Sequence, residues 1–277
     1  MADLRELRDL GGGVWVSQTA LWQTNAVLAL ARDEALLVDP GFEPAEIAAL
    51  AAHARSAGGA IHVLITHGDY DHVCGIGYLP EASIVAGPET ATRVRSGEAG
   101  EQLREAGAEW GFAWPAELRV DRVAEPGSVR CGAFAVEALD ARGHTDDGLA
   151  YLLVDQRVLV PGDYLSSITY PFLVGDLAAC IATHHALLRA LDEHDVRWVV
   201  PGHGAVLTPT EAKEIGRADL EYLGALSAAA TESREQELSR GHALLHVYDV
   251  EPPRPNTPDF EVFGLRAFNA RAALAGA

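Results

Sequence analysis

Short apolar runs separated by polar turns dominate the first two thirds of the chain. Residues 26–38 consist of two apolar runs around a polar turn, which predicts a β-hairpin. Residues 151–161 repeat the same design, so we expect a second, similar hairpin. Residues 61–65 form a continuous β-branched apolar run, a pattern typical of a strand that is buried on both faces.

Helical patterns follow these strands. We predict helices over residues 44–57, 177–194, 210–237 and 265–274. We interpret residues 97–115 as an irregular helical insertion, and its aromatic side chains could face a cleft or simply pack onto the body. Since no low-complexity linker divides the chain, we predict a main domain over residues 1–208. A C-terminal helical appendage over residues 209–277 would pack on it.

Polar residues of the types that bind metals follow four predicted strands, at the point where each strand ends. They are His67, Asp69, Asp71 and His72 after the first, His144 after the second, Asp163 after the third and His203 after the fourth. A rigid sheet fixes side chains at its strand ends, which is where layered α/β folds hold their ligands.

The first of these clusters places two histidines and two aspartates within six residues. Burying unpaired carboxylates is costly, and a divalent cation is the natural compensation. Imidazole and carboxylate together suit Zn²⁺, Fe or Mn²⁺. The alternative, a solvated acidic loop, does not account for the three further sites, each with a glycine beside the candidate ligand.

The motif His67-Gly-Asp69-Tyr-Asp71-His72 resembles the metallo-β-lactamase superfamily, whose usual first motif is His-x-His-x-Asp-His. The resemblance covers about residues 14–204 and includes the Leu-Val-Asp-Pro-Gly segment around Asp39. It implies an α/β (α+β) fold, an αββα sandwich of two related halves with metals in a groove at one edge. The two similar hairpins agree with this expectation.

Carried over by position, the resemblance assigns a role to each candidate ligand. His67, Asp69 and His144 would hold a first metal ion, and Asp71, His72 and His203 would hold a second. Asp163 would bridge the two ions, and Asp71 and Asp163 would be the catalytic residues. A hydroxide shared by two metals about 3.5–4 Å apart would then attack an acyl carbon.

These roles predict a hydrolase that cleaves a small ester, thioester, lactone or β-lactam. No Gly-x-Ser-x-Gly motif points to a competing serine nucleophile. Two alternatives stay open at this point. One is a non-haem iron oxidoreductase acting on a sulfur compound, oxygen or nitric oxide, and the other is a non-catalytic metal-binding protein.

Asp69 stands where the family usually has histidine. A third carboxylate makes the pair of metals less positive, which weakens the Lewis acid and favours Fe or Mn over Zn. Flavodiiron proteins resemble this pattern with glutamate. Asp69 could also be a weak ligand that leaves the first site partly empty. We expect two divalent ions, with Zn first and Fe or Mn as alternatives.

Aromatic residues near the predicted site are candidates for contact with the substrate. They are Trp110, Trp114, Tyr164, Tyr170 and Phe172. Each could equally serve packing, since substrate choice in such folds lies in loops that one sequence describes poorly.

Two aspartates, a cysteine and three histidines lie near the predicted ligands or on the helix before the last strand. Asp146 or Asp147 could orient His144, although a solvated turn is the simpler interpretation. Cys74 is expected to be a small structural residue rather than a redox group or ligand. His184, His185 and His194, on the helix before the last strand, are expected at the surface.

Composition narrows the possible partners. The formal net charge is −19 with a pI of about 4.9, and such a surface repels nucleic acid and anionic membranes. The three cysteines are sparse and widely spaced, and we find no signal peptide or membrane-spanning run, so we expect a cytoplasmic protein. Its partner would be a small-molecule substrate. The apolar residues Val262, Phe263, Leu265 and Phe268 make a homodimer possible.

Overall fold

The computed structural model describes residues 7–115, 117–261 and 264–276, and its strands form two sheets. The seven strands of the first sheet lie in chain order: β1 (Arg8–Gly11), β2 (Val14–Gln18), β3 (Asn25–Ala31), β4 (Glu34–Val38), β5 (Ile61–Ile65), β6 (Ser83–Ala86) and β7 (Arg122–Val123). The second sheet has the order β12-β11-β10-β9-β8: β8 (Gly127–Cys131), β9 (Phe134–Asp140), β10 (Leu149–Leu153), β11 (Val158–Val160) and β12 (Trp198–Val199).

The pairing changes from antiparallel to parallel within each sheet. Strands β1 to β4 pair antiparallel, whereas β4 to β7 pair parallel through helical crossovers. In the second sheet β8 to β11 are antiparallel, and β12 joins β11 in parallel. Both predicted hairpins, β3–β4 and β10–β11, are therefore confirmed.

Side chains that alternate along the strands separate four layers. In β4, Leu36 and Val38 face the space between the sheets, while Leu37 faces the helix outside the first sheet. In β10, Tyr151 faces the same inner space and Leu152 faces the helices outside the second sheet. Because a strand turns successive side chains to opposite faces, each sheet buries both faces. The predicted α/β fold with an αββα sandwich is confirmed.

Helices cover the two outer faces. They are α1 (Pro44–Arg55), α2 (Tyr70–Val73), α3 (Pro88–Ser96), α4 (Glu98–Trp110), α5 (Leu177–Glu193), α6 (Pro209–Glu235), α7 (Arg240–Tyr248), α8 (Pro258–Glu261) and α9 (Leu265–Gly276), with a 3₁₀ turn at Ile76–Tyr78. Helix α6 begins with a capping box, in which the side chains of Thr208 and Glu211 each accept from the other's backbone N–H. None of the helices in these described ranges is long and apolar enough to span a membrane.

The helices after residue 208 share a buried cluster with α5. Leu187 and Leu191 of α5 belong to the same cluster as Leu223 and Leu226 of α6, with Ala270 of α9. This part of the chain therefore packs directly on the outer face of the second sheet. Of the residues expected to support a dimer, Val262 and Phe263 lie outside the described residues.

Two details differ from the sequence prediction. The stretch predicted as an irregular insertion contains a regular helix, α4, which ends where Gly111 takes a left-handed conformation with a φ of 72°. Helix α7 was not predicted, because its sequence RGHALLHVY mixes apolar and polar residues without a clear amphipathic face.

Candidate metal centre

The ends of four strands meet at one edge of the sandwich and carry the candidate ligands. His67 and Asp69 follow β5, and Asp71 and His72 lie on the short helix α2 that begins directly afterwards. The other three, His144, Asp163 and His203, follow β9, β11 and β12. All seven predicted ligands come together here, in overlapping groups whose potential donor atoms lie within 4.8 Å of one another.

The carboxylates lie between the imidazole rings. Asp163 is central, because its Oδ2 lies 3.3 Å from Nε2 of both His144 and His203, and its Oδ1 lies 3.2 Å from Nε2 of His72. Asp71 Oδ2 lies 3.3 Å from His203 Nε2 and 3.5 Å from His72 Nε2. We call His67, Asp69 and His144 the first group, and Asp71, His72 and His203 the second group.

Asp69 takes part in the first group through one of its oxygens. Its Oδ2 lies 3.7 Å from Nε2 of both His67 and His144. Its Oδ1 accepts a hydrogen bond of 3.2 Å from Arg93 Nη2. The carboxylate therefore points into the centre like the other ligands.

Each imidazole is held from its far side, which leaves Nε2 facing the centre. The Nδ1 atoms of His67 and His72 lie 3.0 Å from Thr66 Oγ1 and Asp39 Oδ2, respectively. His144 Nδ1 lies 2.8 Å from the carbonyl oxygen of Phe172. The fourth ring, His203, has its Nδ1 3.1 Å from the Trp22 carbonyl oxygen. Partners of this kind are typical of metal-binding histidines, because they fix both tautomer and ring orientation.

This donor set fits divalent metal ions. Donor atoms about 2.1 Å from a tetrahedral metal lie roughly 3.4 Å from one another, close to the separations found here. Nε2 of His67, His72 and His144 is buried without a hydrogen-bond partner among the described residues. Buried polar atoms are rarely left unpaired, so three such atoms beside shared carboxylates fit the coordination of cations.

The carboxylates also change the acidity of the rings between them. Burial alone would lower the pKa of His203, but Asp163 and Asp71 outweigh it and raise that pKa to about 10. Burial and the neighbouring His72 lower the pKa of His67 well below its usual value. Burial raises the pKa of Asp69, against the opposing charges of His144 and Arg93. The site thus places carboxylates and imidazoles in close electrostatic contact.

A sequence model of the metallo-beta-lactamase superfamily matches residues 19–203, well over half of the chain. The chain belongs to the metallo-β-lactamase superfamily. The matched range ends at His203, the last candidate ligand along the chain, and begins shortly before β3. The helices after residue 208 lie beyond it.

Solved metallo-β-lactamase structures share the fold at low sequence identity. The structure of VMB-1 at pH 5.5 has a TM-score of 0.56 and 16% identity, covering 78% of this chain and 96% of that one. A metallo-beta-lactamase from Pontibacter korlensis has a TM-score of 0.55 and 18% identity, covering 76% and 98%. One from Hirschia baltica has 0.54 and 19%, covering 76% and 96%. No curated protein matches the sequence.

Three of the five aromatic residues proposed to contact a substrate lie in the interior of this metallo-β-lactamase fold. Trp114 is 8% exposed and donates from Nε1 to the carbonyl oxygen of Phe42. Tyr170 is 5% exposed and packs against Tyr222. Tyr164 is 4% exposed, and its hydroxyl accepts from the backbone N–H of His144 at 2.8 Å. These residues pack the core or position a candidate ligand, because burial leaves little of their surface for contact with a substrate.

The other two aromatic residues keep part of their surface exposed. Phe172 is half-buried, with its ring 5.6 Å from that of His144. Trp110 is half-buried against Trp22, with the ring centroids 5.0 Å apart. Phe172 therefore lies beside the centre, whereas Trp110 belongs to the aromatic cluster around Trp22 and Phe42.

Two expectations about polar residues are wrong. The favoured interpretation of a solvated turn is wrong for Asp147, which is buried and bonds Gly68 N and Arg93. The alternative also fails, because the backbone carbonyl of Phe172, and neither aspartate, faces His144 Nδ1. His184 is fully buried rather than exposed. Its Nδ1 lies 2.9 Å from the Cys180 carbonyl oxygen, and its Nε2 lies 3.5 Å from Asp219 Oδ2.

The remaining polar residues behave as expected. His185 is exposed and His194 is partly exposed. Cys74 is fully buried, and its thiol donates to the Gly41 carbonyl oxygen at 3.0 Å. Burial and the nearby Asp71 raise the pKa of this thiol well above its usual value, which suits a structural residue.

Sequence reasoning missed the residues that hold the ligands. Asp39 had no predicted role beyond the family resemblance, yet its carboxylate bonds His72 Nδ1 and both the N–H and hydroxyl of Thr66. Arg93 gave no signal, because one arginine on a charged helix resembles any solvated residue. The Leu-Val-Asp-Pro-Gly segment could have identified Asp39, since an aspartate buried at a strand end needs partners.

Proposed function

We propose that the protein is a dinuclear metal-dependent hydrolase that cleaves a small ester, thioester, lactone or β-lactam. The observation that carries the proposal is the complete set of seven ligands, with four Nε2 atoms facing shared carboxylates. A single structural metal needs four ligands. Six ligands in two groups, with Asp163 as the seventh between them, suit two ions.

Bound metal ions would supply a Lewis acid for the acyl oxygen and would lower the pKa of a water molecule between them. His67 and His144 would hold the first ion, and His72 and His203 would hold the second. Asp163 lies between the two groups of residues and helps to fix their relative position. Zn²⁺ is the ion we propose first, since four imidazoles dominate the donor set.

Asp71 is the residue we propose for proton transfer. Burial opposes its ionisation, but His72 and His203 hold the pKa of Asp71 below its ordinary value. Asp71 is therefore a carboxylate near neutral pH, able to accept a proton from the attacking water and return it to the leaving group.

The substrate would approach from the side of Asp69, the most exposed ligand, with 30% of its side chain exposed. A pocket of about 450 Å³ adjoins it and is lined by Arg93, Thr145, Asp146 and Val174 among others. A pocket of this size accommodates a small molecule.

The test is turnover of a panel of esters, thioesters, lactones and β-lactams by the metal-loaded protein. His67→Ala and Asp163→Ala serve as the matched variants. We expect the wild type to hydrolyse at least one class, with kcat/KM at least about a hundredfold above both variants. Equal rates for wild type and variants across the panel would rule the proposal out.

A second candidate is iron-dependent redox chemistry on a sulfur compound, oxygen or nitric oxide. The geometry of Asp69 favours it, because two imidazoles and one carboxylate are the donor set of many non-haem iron sites. Iron in protein purified without added metal, together with oxygen uptake on a persulfide or thiol, would support this candidate. An iron-loaded protein that consumes no oxygen with these substrates would remove it.

A further inference from the structure

Arg93 is a largely buried arginine whose guanidinium is fully hydrogen-bonded. It lies on α3, 16% of its side chain is exposed, and every nitrogen of its guanidinium has a partner. The contacts are Nε to Glu98 Oε1 at 3.1 Å, Nη1 to Asp147 Oδ1 and Oδ2 at 3.2 and 3.1 Å, and Nη2 to Gln102 Oε1 at 2.9 Å and Asp69 Oδ1 at 3.2 Å.

Asp147 is the anchor of this arrangement. It is 3% exposed, and its Oδ2 also accepts from Gly68 N at 2.8 Å and from Thr90 Oγ1 at 3.0 Å. Gly68 separates His67 from Asp69, so Asp147 holds the backbone between two ligands while Arg93 holds the side chain of one. A Cβ at Gly68 would lie 2.7 Å from Asp147 Oδ2 and 3.1 Å from Arg93 Nη1, which explains the glycine.

Because of the contact with Arg93, the two carboxylate oxygens of Asp69 have different partners. Oδ1 is taken by the guanidinium, while Oδ2 lies 3.7 Å from Nε2 of both His67 and His144. A carboxylate fixed through one oxygen offers the other in a defined direction. Without that contact, the side chain could rotate toward solvent through the pocket that it lines.

We propose that Arg93, anchored by Asp147, is a positioning residue. It would direct one oxygen of Asp69 toward the metal ion that the first group holds. The proposal rests on the metal binding in the proposed function. It also separates the two possibilities for Asp69, a true ligand or a weak one that leaves the first group partly empty. A guanidinium suits this task because it can hold two carboxylates at once in fixed geometry.

The experiment is a competitive Zn²⁺ titration against a chromophoric chelator, using metal-free wild type and variants. Asp69→Ala identifies the binding step that depends on the first group. Arg93→Met should weaken that same step by about 10–100-fold and leave the other step unchanged. Arg95→Met is the matched control, because Arg95 is an exposed arginine on the same helix, and it should behave as wild type.

A double-mutant cycle shows whether Arg93 acts through Asp69. In the Asp69→Ala background, Arg93→Met should change Zn²⁺ affinity by less than about twofold, since its target is absent. Arg93→Met leaves Asp147 buried without its cation, so Arg93→Met/Asp147→Asn, which removes both charges, repeats the measurement in case the single variant unfolds.

The outcomes separate this inference from the proposed function. Wild-type affinity in both Arg93 variants, or an equal loss with and without Asp69, would overturn the role of Arg93 while leaving a two-metal protein. A wild type with no zinc-binding step at all would overturn the proposed function itself.

Discussion

Single hydrogen bonds to the Nδ1 atoms fix the orientation in which the imidazole rings of the candidate ligands point their Nε2 atoms into the centre. His72 shows this most clearly, because the Asp39 carboxylate faces its Nδ1 at 3.0 Å and is 2% exposed. Asp39 adopts a left-handed backbone conformation with a φ of 47°, which aspartate and asparagine tolerate better than most residues. Asparagine can therefore replace it without added backbone strain.

Asp39→Asn should weaken Zn²⁺ binding by about 10–100-fold, because the ring of His72 loses a charged partner that fixes its tautomer. Asp33→Asn is the control, since Asp33 is an exposed aspartate in the β3–β4 turn. The measurement is the same chelator competition on metal-free protein. Indistinguishable affinities for wild type and Asp39→Asn would mean that Asp39 does not support the ligand.

His184 is a second residue whose partners have a measurable consequence, and its ring packs 5.1 Å from that of Tyr164. Burial alone would lower its pKa, but hydrogen bonds to Asp219 and Cys180 outweigh burial and raise the pKa to about 10. A histidine with a raised folded pKa stabilises the protein fully below its unfolded pKa of about 6.5. That contribution disappears as the pH rises through about 10.

His184→Gln should therefore destabilise the metal-free protein most near pH 6, on the order of a few kcal/mol, and progressively less toward pH 10. Urea unfolding at several pH values measures the difference from wild type, and His185→Gln controls for loss of an exposed neighbour. A difference between His184→Gln and wild type that stays constant over this range would show that His184 does not hold an extra proton in the fold.

At the scale of elements, helix α9 contacts the loop around Phe172, which in turn contacts the candidate metal centre. Asn269 is fully buried; its Oδ1 accepts from Leu173 N at 2.9 Å and its Nδ2 donates to the Pro171 carbonyl at 2.6 Å. These two contacts flank Phe172, whose carbonyl faces His144 Nδ1. The C-terminal helices thus help to fix His144, a candidate ligand of the first group.

Asn269→Ala should lower the free energy of unfolding by about 1–3 kcal/mol, because two buried backbone groups lose their partners. It should also speed the release of one metal ion to excess chelator, since the loop that holds His144 is loosened. Arg271→Ala, at an exposed position of the same helix, is the control. Stability loss with unchanged release kinetics would confine Asn269 to a structural role.

The sequence predicted the elements whose patterns are local. The β3–β4 and β10–β11 hairpins follow from apolar runs around polar turns, and the ligands follow from polar residues at strand ends. The partners of the ligands were not predictable in this way. Arg93 meets Asp69 across 24 positions of the chain, and Asn269 meets Leu173 across 96. Such pairs depend on how helices pack, which hydrophobic periodicity does not specify.

The same limit applies to the buried polar and aromatic residues. His184 lies on a helix with polar neighbours, and only the packing of α6 against α5 places Asp219 beside it. Tyr164 follows the ligand Asp163 directly, which suggested a pocket wall. Its hydroxyl instead turns inward to the backbone of His144.

The charge of the whole molecule bears on which acyl compounds the centre would accept. The chain carries a formal net charge of −19, and the pocket beside Asp69 is lined by the acidic residues Glu89, Glu98 and Asp146. The guanidinium of Arg93 in the same pocket is already engaged by carboxylates. The pocket therefore offers little attraction to an anionic substrate.

We expect a neutral or cationic ester to be hydrolysed with kcat/KM at least about tenfold higher than an anionic ester of the same leaving group at low ionic strength. The preference should shrink in 1 M salt, where the Debye length is about 3 Å. Steady-state rates for the paired esters at both salt concentrations measure it. Preference for the anionic ester would contradict this view of the pocket.

The central claim is that seven side chains form one centre for two metal ions. The most direct measurement is the metal content of purified protein after saturation with Zn²⁺ and removal of free ions, determined by mass spectrometry alongside His67→Ala, Asp163→Ala and the control His185→Ala. The account predicts about two ions per chain for wild type and control, and fewer for the two ligand variants. A wild type that retains no more zinc than His67→Ala and Asp163→Ala would contradict it.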